Sequence, residues 1–339
     1  MNLKSFIIEK AEQLNIDKIG FTDGLPLYNV EEYLKNRLEN GLQTEFEEED
    51  IQRRIDPRLS FPECKSIILI AISYNVDLNE KSDESLTGSL SKSSWGIDYH
   101  KVLKEKMDKL ILEIKSIKEF NYKSYVDTGP LIERELAHKA GIGYYGKNCS
   151  IINDDYGSFI FLGYIMTDLE IEANEGKIES KCGECDLCIR ACPTNALEAY
   201  KLNPKKCISY LTQTKDKIPM EYRSKMGIKI YGCDTCQLVC PENNRVKLSS
   251  HHEFVPYITK GKMDVVELLH MTNREFKNKY GSMAGSWRGK NVLKRNAIIA
   301  IGNMRNKDNA YLLNNIKSED NPFMIDYVDW ALENIFLTK

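Results

Sequence analysis

No apolar run in the sequence approaches the 18 residues that a membrane span needs, so a spanning helix is not expected. No twin-arginine signal precedes the first apolar segment either. That segment, MNLKSFIIEKAEQLNI, carries Glu9 and Glu12 inside its pattern, while Leu3, Phe6, Ile7 and Leu14 recur at helical spacing. An amphipathic helix is expected there and not a signal peptide. An excess of one charge is also missing: 47 basic and 50 acidic residues leave a net charge of −3. Any attraction to nucleic acid must therefore come from a local patch. There is no G-x-x-x-x-G-K-[ST] phosphate loop. Gly141-Ile-Gly-Tyr-Tyr-Gly146 has dinucleotide-fingerprint spacing, but it follows an expected helix instead of a strand and fails the context test.

What the sequence has is cysteine, ten in all, with eight between residues 182 and 241. Without a secretory signal these point to a reducing cytoplasm, where a disulfide framework is disfavoured. The stretch opens Cys182-Gly-Glu-Cys185-Asp-Leu-Cys188-Ile-Arg-Ala-Cys192-Pro193, which reads C-x2-C-x2-C-x3-C-P. Bacterial ferredoxins hold [4Fe–4S] clusters with this run, the cysteine before proline reaching a second cluster. Cys207 stands alone, and Cys233-Asp-Thr-Cys236-Gln-Leu-Val-Cys240-Pro241 repeats the ending. By analogy with the ferredoxin geometry, Cys182, Cys185, Cys188 and Cys240 would hold one cluster. Cys192, Cys207, Cys233 and Cys236 would hold the other. The alternative is a pair of structural zinc sites, although zinc motifs normally leave a longer gap between their cysteine pairs and have no use for two Cys-Pro endings. Cys64 and Cys149 fall outside both sets and read as ordinary buried thiols.

At 339 residues, 42% apolar and 29% charged, the chain suits a globular protein of two or three domains. Lys18–Thr22 reads as a short strand, and Ser66–Tyr74 as a strand covered on both faces. Glu45–Asp50 is an acidic run, most simply a solvated surface. The polar stretch 78–94 suggests a mobile loop. Val102, Leu103, Met107, Leu110, Ile111, Ile114 and Ile117 trace a helical stripe over 100–117. Lys123–Asp127 reads as a strand, Thr-Gly-Pro as a turn and Leu131 onward as a helix. Cys149–Asn153 and Ser158–Thr167 look like a hairpin turned at Asp154–Gly157. The fold class is α/β or α+β for residues 1–175, followed by a ferredoxin-like cluster domain at 176–248. Residues 249–339 carry helical periodicity over 264–271, 273–280, 291–304, 308–317 and 323–336, which suggests HEAT-like repeats or a plain bundle.

A basic patch lies in this last part. Between Arg274 and Lys307 nine basic residues face one acidic residue, a local excess of +8. It surrounds Ser286-Trp287-Arg288-Gly289, a turn suited to stacking on an unpaired base and contacting phosphates. Arg288, Lys290, Lys294 and Arg295 are the candidate RNA contacts, against the alternative of a merely soluble surface. Asp127, at a strand end, is a candidate for chemistry, but Asp before Thr-Gly-Pro is also an ordinary turn residue. Asp98-Tyr99-His100 can simply cap the helix that follows.

Val126-Asp-Thr-Gly-Pro-Leu-Ile-Glu-Arg-Glu-Leu-Ala137, Gly141-Ile-Gly-Tyr-Tyr-Gly-Lys-Asn148, the two-cluster block and Lys294-Arg-Asn-Ala-Ile-Ile-Ala-Ile-Gly-Asn303 together resemble the epoxyqueuosine reductase family. The four motifs occur in the family's order, and the resemblance runs from Arg54-Ile-Asp-Pro57 to Trp330-Ala-Leu-Glu-Asn-Ile335. It implies a cobalamin-binding domain at 1–175, two [4Fe–4S] clusters and a tRNA-binding helical part. The reaction would remove the epoxide oxygen of epoxyqueuosine at the tRNA wobble position. A small donor protein of ferredoxin or flavodoxin type would supply electrons, in the cytoplasm and to a monomer. Asp127 matches the family's proton donor, which reverses the turn reading. Arg54, Tyr99, His100, Lys147 and Asn148 fall in segments resembling cofactor- and substrate-facing loops. Family members commonly have arginine where this chain has Ile97, which puts any cobalamin or phosphate contact from that position in doubt. Asp98-Tyr-His100-Lys-Val-Leu103 begins a D-x-H-x-x-G cobalamin motif but lacks its glycine, so an axial histidine is not indicated. A corrinoid reductive dehalogenase and a plain two-cluster electron carrier are the competing classes. The first usually carries an export signal, and the second leaves the first 175 residues unexplained.

Overall fold

The computed structural model describes residues 2–78, 86–174, 178–317 and 322–337. In chain order the strands that build the first part are β1 (Lys18–Asp23), β2 (Ser66–Ser73), β3 (Thr87–Leu90), β4 (Tyr122–Tyr125), β5 (Tyr144–Tyr145), β6 (Ile151–Ile152) and β7 (Ile160–Thr167). The main sheet runs β1-β2-β7-β4, with every neighbouring pair antiparallel. β2 pairs along its whole length with β7, from Ser66 opposite Thr167 to Ser73 opposite Ile160. All eight residues of β2 are buried, because side chains alternate between two covered faces. Ile68, Ile70 and Ile72 meet Val102, Leu103, Met107, Leu110, Ile111 and Ile114 of the helix Tyr99–Lys115. Ile67, Leu69 and Ala71 meet Leu131, Leu136, Ala137 and Ala140 on the other face.

Several expectations hold closely. The helix expected over 100–117 spans Tyr99–Lys115, and the strand expected at Lys123–Asp127 spans Tyr122–Tyr125. The hairpin expected from Cys149–Asn153 and Ser158–Thr167 does not form. β6 pairs with β5, β7 lies between β2 and β4, and only a single bridge joins Asn153 to Gly157. An apolar run such as Ile160–Thr167 gains more by burial on both faces than by pairing with a two-residue neighbour. The loop expected at 78–94 is structured at its end, where β3 forms; its residues 79–85 lie outside the described residues.

β3 also alters the expected partition of the chain. It pairs parallel with Lys229–Tyr231 and antiparallel with Lys262–Asp264, so one sheet joins all three expected segments. Leu90, Ile208, Met226, Ile230, Met263, Leu293, Ile298 and Tyr327 share one core. The boundary expected near 248 thus falls inside a common core, and the one expected at 175 and 176 lies outside the described residues. The C-terminal helices Val265–His270, Asn273–Tyr280, Lys290–Met304, Ala310–Lys317 and Pro322–Phe336 follow the expected segments.

Two close approaches set the position of the candidate site. A Cβ on Gly96 would sit 2.1 Å from the Glu253 carbonyl oxygen, and Ile97 N–H donates to that same oxygen at 2.7 Å. The chain leading into the helix Tyr99–Lys115 is thereby clamped to the C-terminal half. A Cβ on Gly129 would lie 2.1 Å from the Tyr164 hydroxyl, so the turn after β4 rests directly on the sheet. Gly129→Ala should cost about 1–3 kcal/mol through overpacking. Urea unfolding that matches the wild type would contradict this contact.

Candidate functional site

β4 stops at Tyr125, and buried Val126 is followed by Asp127 at φ 56°, a left-handed conformation uncommon outside glycine. Thr128 N–H donates to the Val126 carbonyl at 2.5 Å and closes a three-residue turn around Asp127. The Asp127 N–H donates to Glu133 Oε1 at 2.6 Å. Its carboxyl faces outward, 63% exposed, and accepts from the Tyr99 hydroxyl at 2.7 Å. The Tyr99 ring stacks on Phe161 at 4.2 Å and on His100 at 4.2 Å, and Phe161 stacks on Tyr74 at 4.1 Å. Beyond Tyr74, the Gln237 amide approaches its hydroxyl at 3.4 Å. A stack of three rings, Tyr74, Phe161 and Tyr99, therefore lies between Gln237 of the cysteine-bearing segment and Asp127, with a polar contact at each end.

Burial and the nearby Asp127 charge push the Tyr99 hydroxyl far above the ordinary phenol range, so it stays a donor. Glu133 is held well above the usual carboxylate range, first by burial and then by the Asp127 charge. His100 Nδ1 lies 2.7 Å from Asp98 Oδ1, and Nε2 lies 3.8 Å from Asp127 Oδ2. Burial opposes its charge, yet the Asp98 hydrogen bond and the charges of Asp98 and Asp127 outweigh that, and its pKa is raised. Asp98 also accepts the His100 N–H at 3.0 Å as helix cap, as its sequence position suggests.

The cysteines gather as two groups. Cys182, Cys185, Cys188 and Cys240 line one small cavity with Lys147, Asn148, Ile152 and Pro241, so the far Cys240 joins the three close-spaced residues. Cys207 and Cys236 are both pushed up, first by burial and then by neighbouring thiols that include Cys233 and Cys192. Among the described residues, no three His, Cys, Asp or Glu side chains converge as ligands of a single metal ion would. Backbone amides reach the sulfurs: Ala196 N–H lies 3.2 Å from Cys192 Sγ, and Lys147 N–H lies 3.4 Å from Cys182 Sγ. Such contacts are among the means of setting a cluster's potential.

Lys147 and Asn148 are thus brought to the Cys182 group and not to Asp127. Lys147 Nζ donates to the Gly183 carbonyl at 2.6 Å, and buried Asn148 has no partner for its Nδ2. Arg54 is engaged by Glu47 at 2.8 Å, and Arg37 meets the other oxygen of Glu47 at 2.7 Å. The acidic run is exposed at Glu45, Phe46, Glu49 and Asp50, as a solvated surface would be, but it also makes contacts to distant residues. Its Glu45 accepts from Tyr210 at 2.8 Å and from Arg288 at 3.4 Å, and Phe46 packs edge-on against Trp287 at 5.5 Å. The phenylalanine amid acids was the signal available in the sequence.

The basic turn also needs correction. Arg295 is fully buried and donates to the carbonyls of Leu211 and Thr214 at 2.9 and 2.7 Å. Lys294 is buried as well. Both lie on the inner face of the helix Lys290–Met304, whose positions 292–302 are all buried, so neither presents its charge to a nucleic acid. Arg288 and Lys290 are half-buried, Trp287 is exposed, and Arg274 and Lys277 face solvent. No helix among the described residues is long and apolar enough to cross a membrane.

The family described as epoxyqueuosine reductase QueG, DUF1730, matches residues 54–128, and the 4Fe-4S double cluster binding domain matches residues 181–243. The epoxyqueuosine reductase of Bacillus cereus is 41% identical over 341 residues, covering 98% of this chain and 89% of that protein. A crystal structure of epoxyqueuosine reductase with a tRNA-Tyr epoxyqueuosine-modified tRNA stem loop is 39% identical, with a TM-score of 0.94 over 98% of this chain and 90% of that one. A structure of the Bacillus subtilis enzyme with its catalytic loop swung out of the active site is 38% identical, with a TM-score of 0.92 and the same coverage.

The raised His100 pKa makes a signed prediction. Its contribution to stability is fully present below the ordinary value of about 6.5 and is lost as pH rises through the higher folded value. His100→Gln should therefore weaken chemical stability most at acidic pH, with the difference closing toward alkaline pH. A difference that stays constant with pH would contradict the pairing.

Proposed function

The chain belongs to the epoxyqueuosine reductase family, and from that premise we propose that it reduces epoxyqueuosine to queuosine at the wobble position of tRNA, with Asp127 as proton donor. One observation carries the reading. The exposed Asp127 carboxyl is held at one end of a stack of Tyr99, Phe161 and Tyr74, and Gln237, from the segment that carries the cysteines, approaches the Tyr74 hydroxyl at the other end. A proton source and an electron source are thereby held against the same part of the fold.

Removing an epoxide oxygen to leave a carbon–carbon double bond consumes two electrons and two protons and releases water. The iron–sulfur clusters would take electrons singly from a small donor protein of ferredoxin or flavodoxin type. We assign Cys182, Cys185, Cys188 and Cys240 to one cluster and Cys192, Cys207, Cys233 and Cys236 to the other. Cobalamin, when bound, would supply the low-valent cobalt that such a reduction requires. The stacked rings of Tyr99 and His100 offer it a flat surface beside the outward-facing Asp127 carboxyl. Both nitrogens of His100 face carboxylates, in keeping with the absence of an axial-histidine motif.

This chain's residues handle the oxygen. The exposed Asp127 carboxyl would take up a proton from solvent before turnover and pass it to the epoxide oxygen as the carbon–oxygen bond breaks, so that no free alkoxide has to leave; a second proton from solvent completes the water. Tyr99 holds the carboxyl at Oδ2 and leaves Oδ1 toward the substrate. The half-buried Arg288 and Lys290, with exposed Trp287, would meet the tRNA backbone and a splayed base. We read the C-terminal helices as HEAT-like pairs that carry this surface.

Asp127→Asn should lower turnover about 10²–10⁴-fold while leaving the cluster and corrin absorption unchanged. Conversion of epoxyqueuosine-containing tRNA, read by nucleoside mass analysis, tests this; wild-type turnover by the cofactor-loaded variant would remove Asp127 from the mechanism. Arg288→Ala or Lys290→Ala should weaken tRNA binding and reduce the slope of log affinity against log salt by about 1. An unchanged slope in both variants would remove the turn from the interface.

A further inference from the structure

We propose that Glu133 is a positioning residue for the reaction, holding the Asp127 turn in the conformation that presents its carboxyl to substrate. The inference rests on the reading of Asp127 as proton donor. Asp127 occupies a left-handed conformation that is strained for a residue with a Cβ. The Tyr99 hydroxyl holds its side chain, but the backbone of the turn has little else to hold it. Asp127 and Thr128 are exposed, and the Thr128 N–H is taken up by the tight closure to Val126. An exposed N–H at Asp127 would ordinarily bond to water. It donates instead to Glu133 Oε1 at 2.6 Å, across six residues of chain.

Glu133 is the first residue of the helix Glu133–Lys139, whose N-terminus has no side-chain cap. Its carboxyl is turned back onto the preceding loop and not onto its own helix. The far side of the loop is fixed independently: Leu131 N–H donates to the Tyr164 hydroxyl at 3.3 Å, and Gly129 lies against that same hydroxyl. Tyr164 therefore anchors the base of the loop, and Glu133 anchors its tip. Burial and the Asp127 charge raise the Glu133 pKa, and they outweigh the hydrogen bond from the Asp127 N–H and the Arg134 charge, which oppose them. A carboxyl kept neutral accepts the N–H without adding a second negative charge beside Asp127. Glutamine reproduces both properties and alanine neither.

The test compares Glu133→Ala and Glu133→Gln in the full-length, cofactor-loaded protein. Two readouts are taken: turnover on epoxyqueuosine-containing tRNA, and hydrogen exchange of the peptide spanning residues 126–131. Loss of a correctly placed acid should lower kcat of Glu133→Ala up to about 10²-fold with KM for tRNA unchanged. Exchange in that peptide should rise. Glu133→Gln should restore kcat to within a few-fold and exchange to the wild-type rate. The proposal is overturned if Glu133→Ala keeps wild-type exchange and kcat, or if Glu133→Gln is as impaired as alanine. Asp127→Asn assayed alongside separates the two readings. Should that variant remain active, the proton-donor assignment fails, and the exchange data alone decide whether Glu133 holds the turn.

Discussion

The stack of Tyr74, Phe161 and Tyr99 is the contact on which the rest of the structure depends. Phe161 sits on the central strand β7, Tyr74 follows β2, and Tyr99 opens the helix that covers one face of the sheet. Phe254, from the C-terminal half, packs edge-on against Phe161 at 5.2 Å. Four separated segments thus meet around one ring, and stacked aromatic pairs contribute about 0.5–1.5 kcal/mol each beyond their burial. Displacing Phe161 would loosen the sheet, the Tyr99 hydroxyl and the approach of Gln237 together.

From that centre the reaction's requirements separate in space. The turn proposed for proton delivery has a left-handed backbone at Asp127, whose carboxyl accepts from Tyr99 and whose N–H donates to Glu133. Of the thiols proposed to hold the clusters, one group brings Cys240 back to the start of the cysteine-rich segment. The turn proposed for nucleic-acid contact has its arginine stacked on Phe46 and Trp287 and paired with Glu45. That pairing places an acidic side chain on a guanidinium that a phosphate would also bind. It also ties residues 45–47 of the N-terminal part to the basic helical part.

Much of this was legible in the sequence because its signals are local. The stripe over residues 100–117 and the apolar run 66–74 each depend on near neighbours, and the helix Tyr99–Lys115 and the strand Ser66–Ser73 form as expected. The pairing of β7 was not legible: Asp154–Gly157 is a good turn, but two covered faces decided where an eight-residue apolar strand would lie. Arg295 read as surface charge because a sequence does not show the carbonyls of Leu211 and Thr214 that converge on it. Within the mostly exposed acidic run Glu47 is the exception, since Arg37 and Arg54 both pair with it. Glu133 stood within a recognised motif, but its role depends on a hydrogen bond back across the turn that spacing does not reveal.

The central claim is that proton transfer from Asp127, and not electron supply, is what this turn contributes. A single-turnover experiment with fully reduced, cofactor-loaded protein and stoichiometric epoxyqueuosine-containing tRNA isolates that step, because no donor protein is needed. The account predicts rapid queuosine formation by the wild type, while reduced Asp127→Asn binds the tRNA and retains its electrons. Equal single-turnover rates in the two proteins would contradict it.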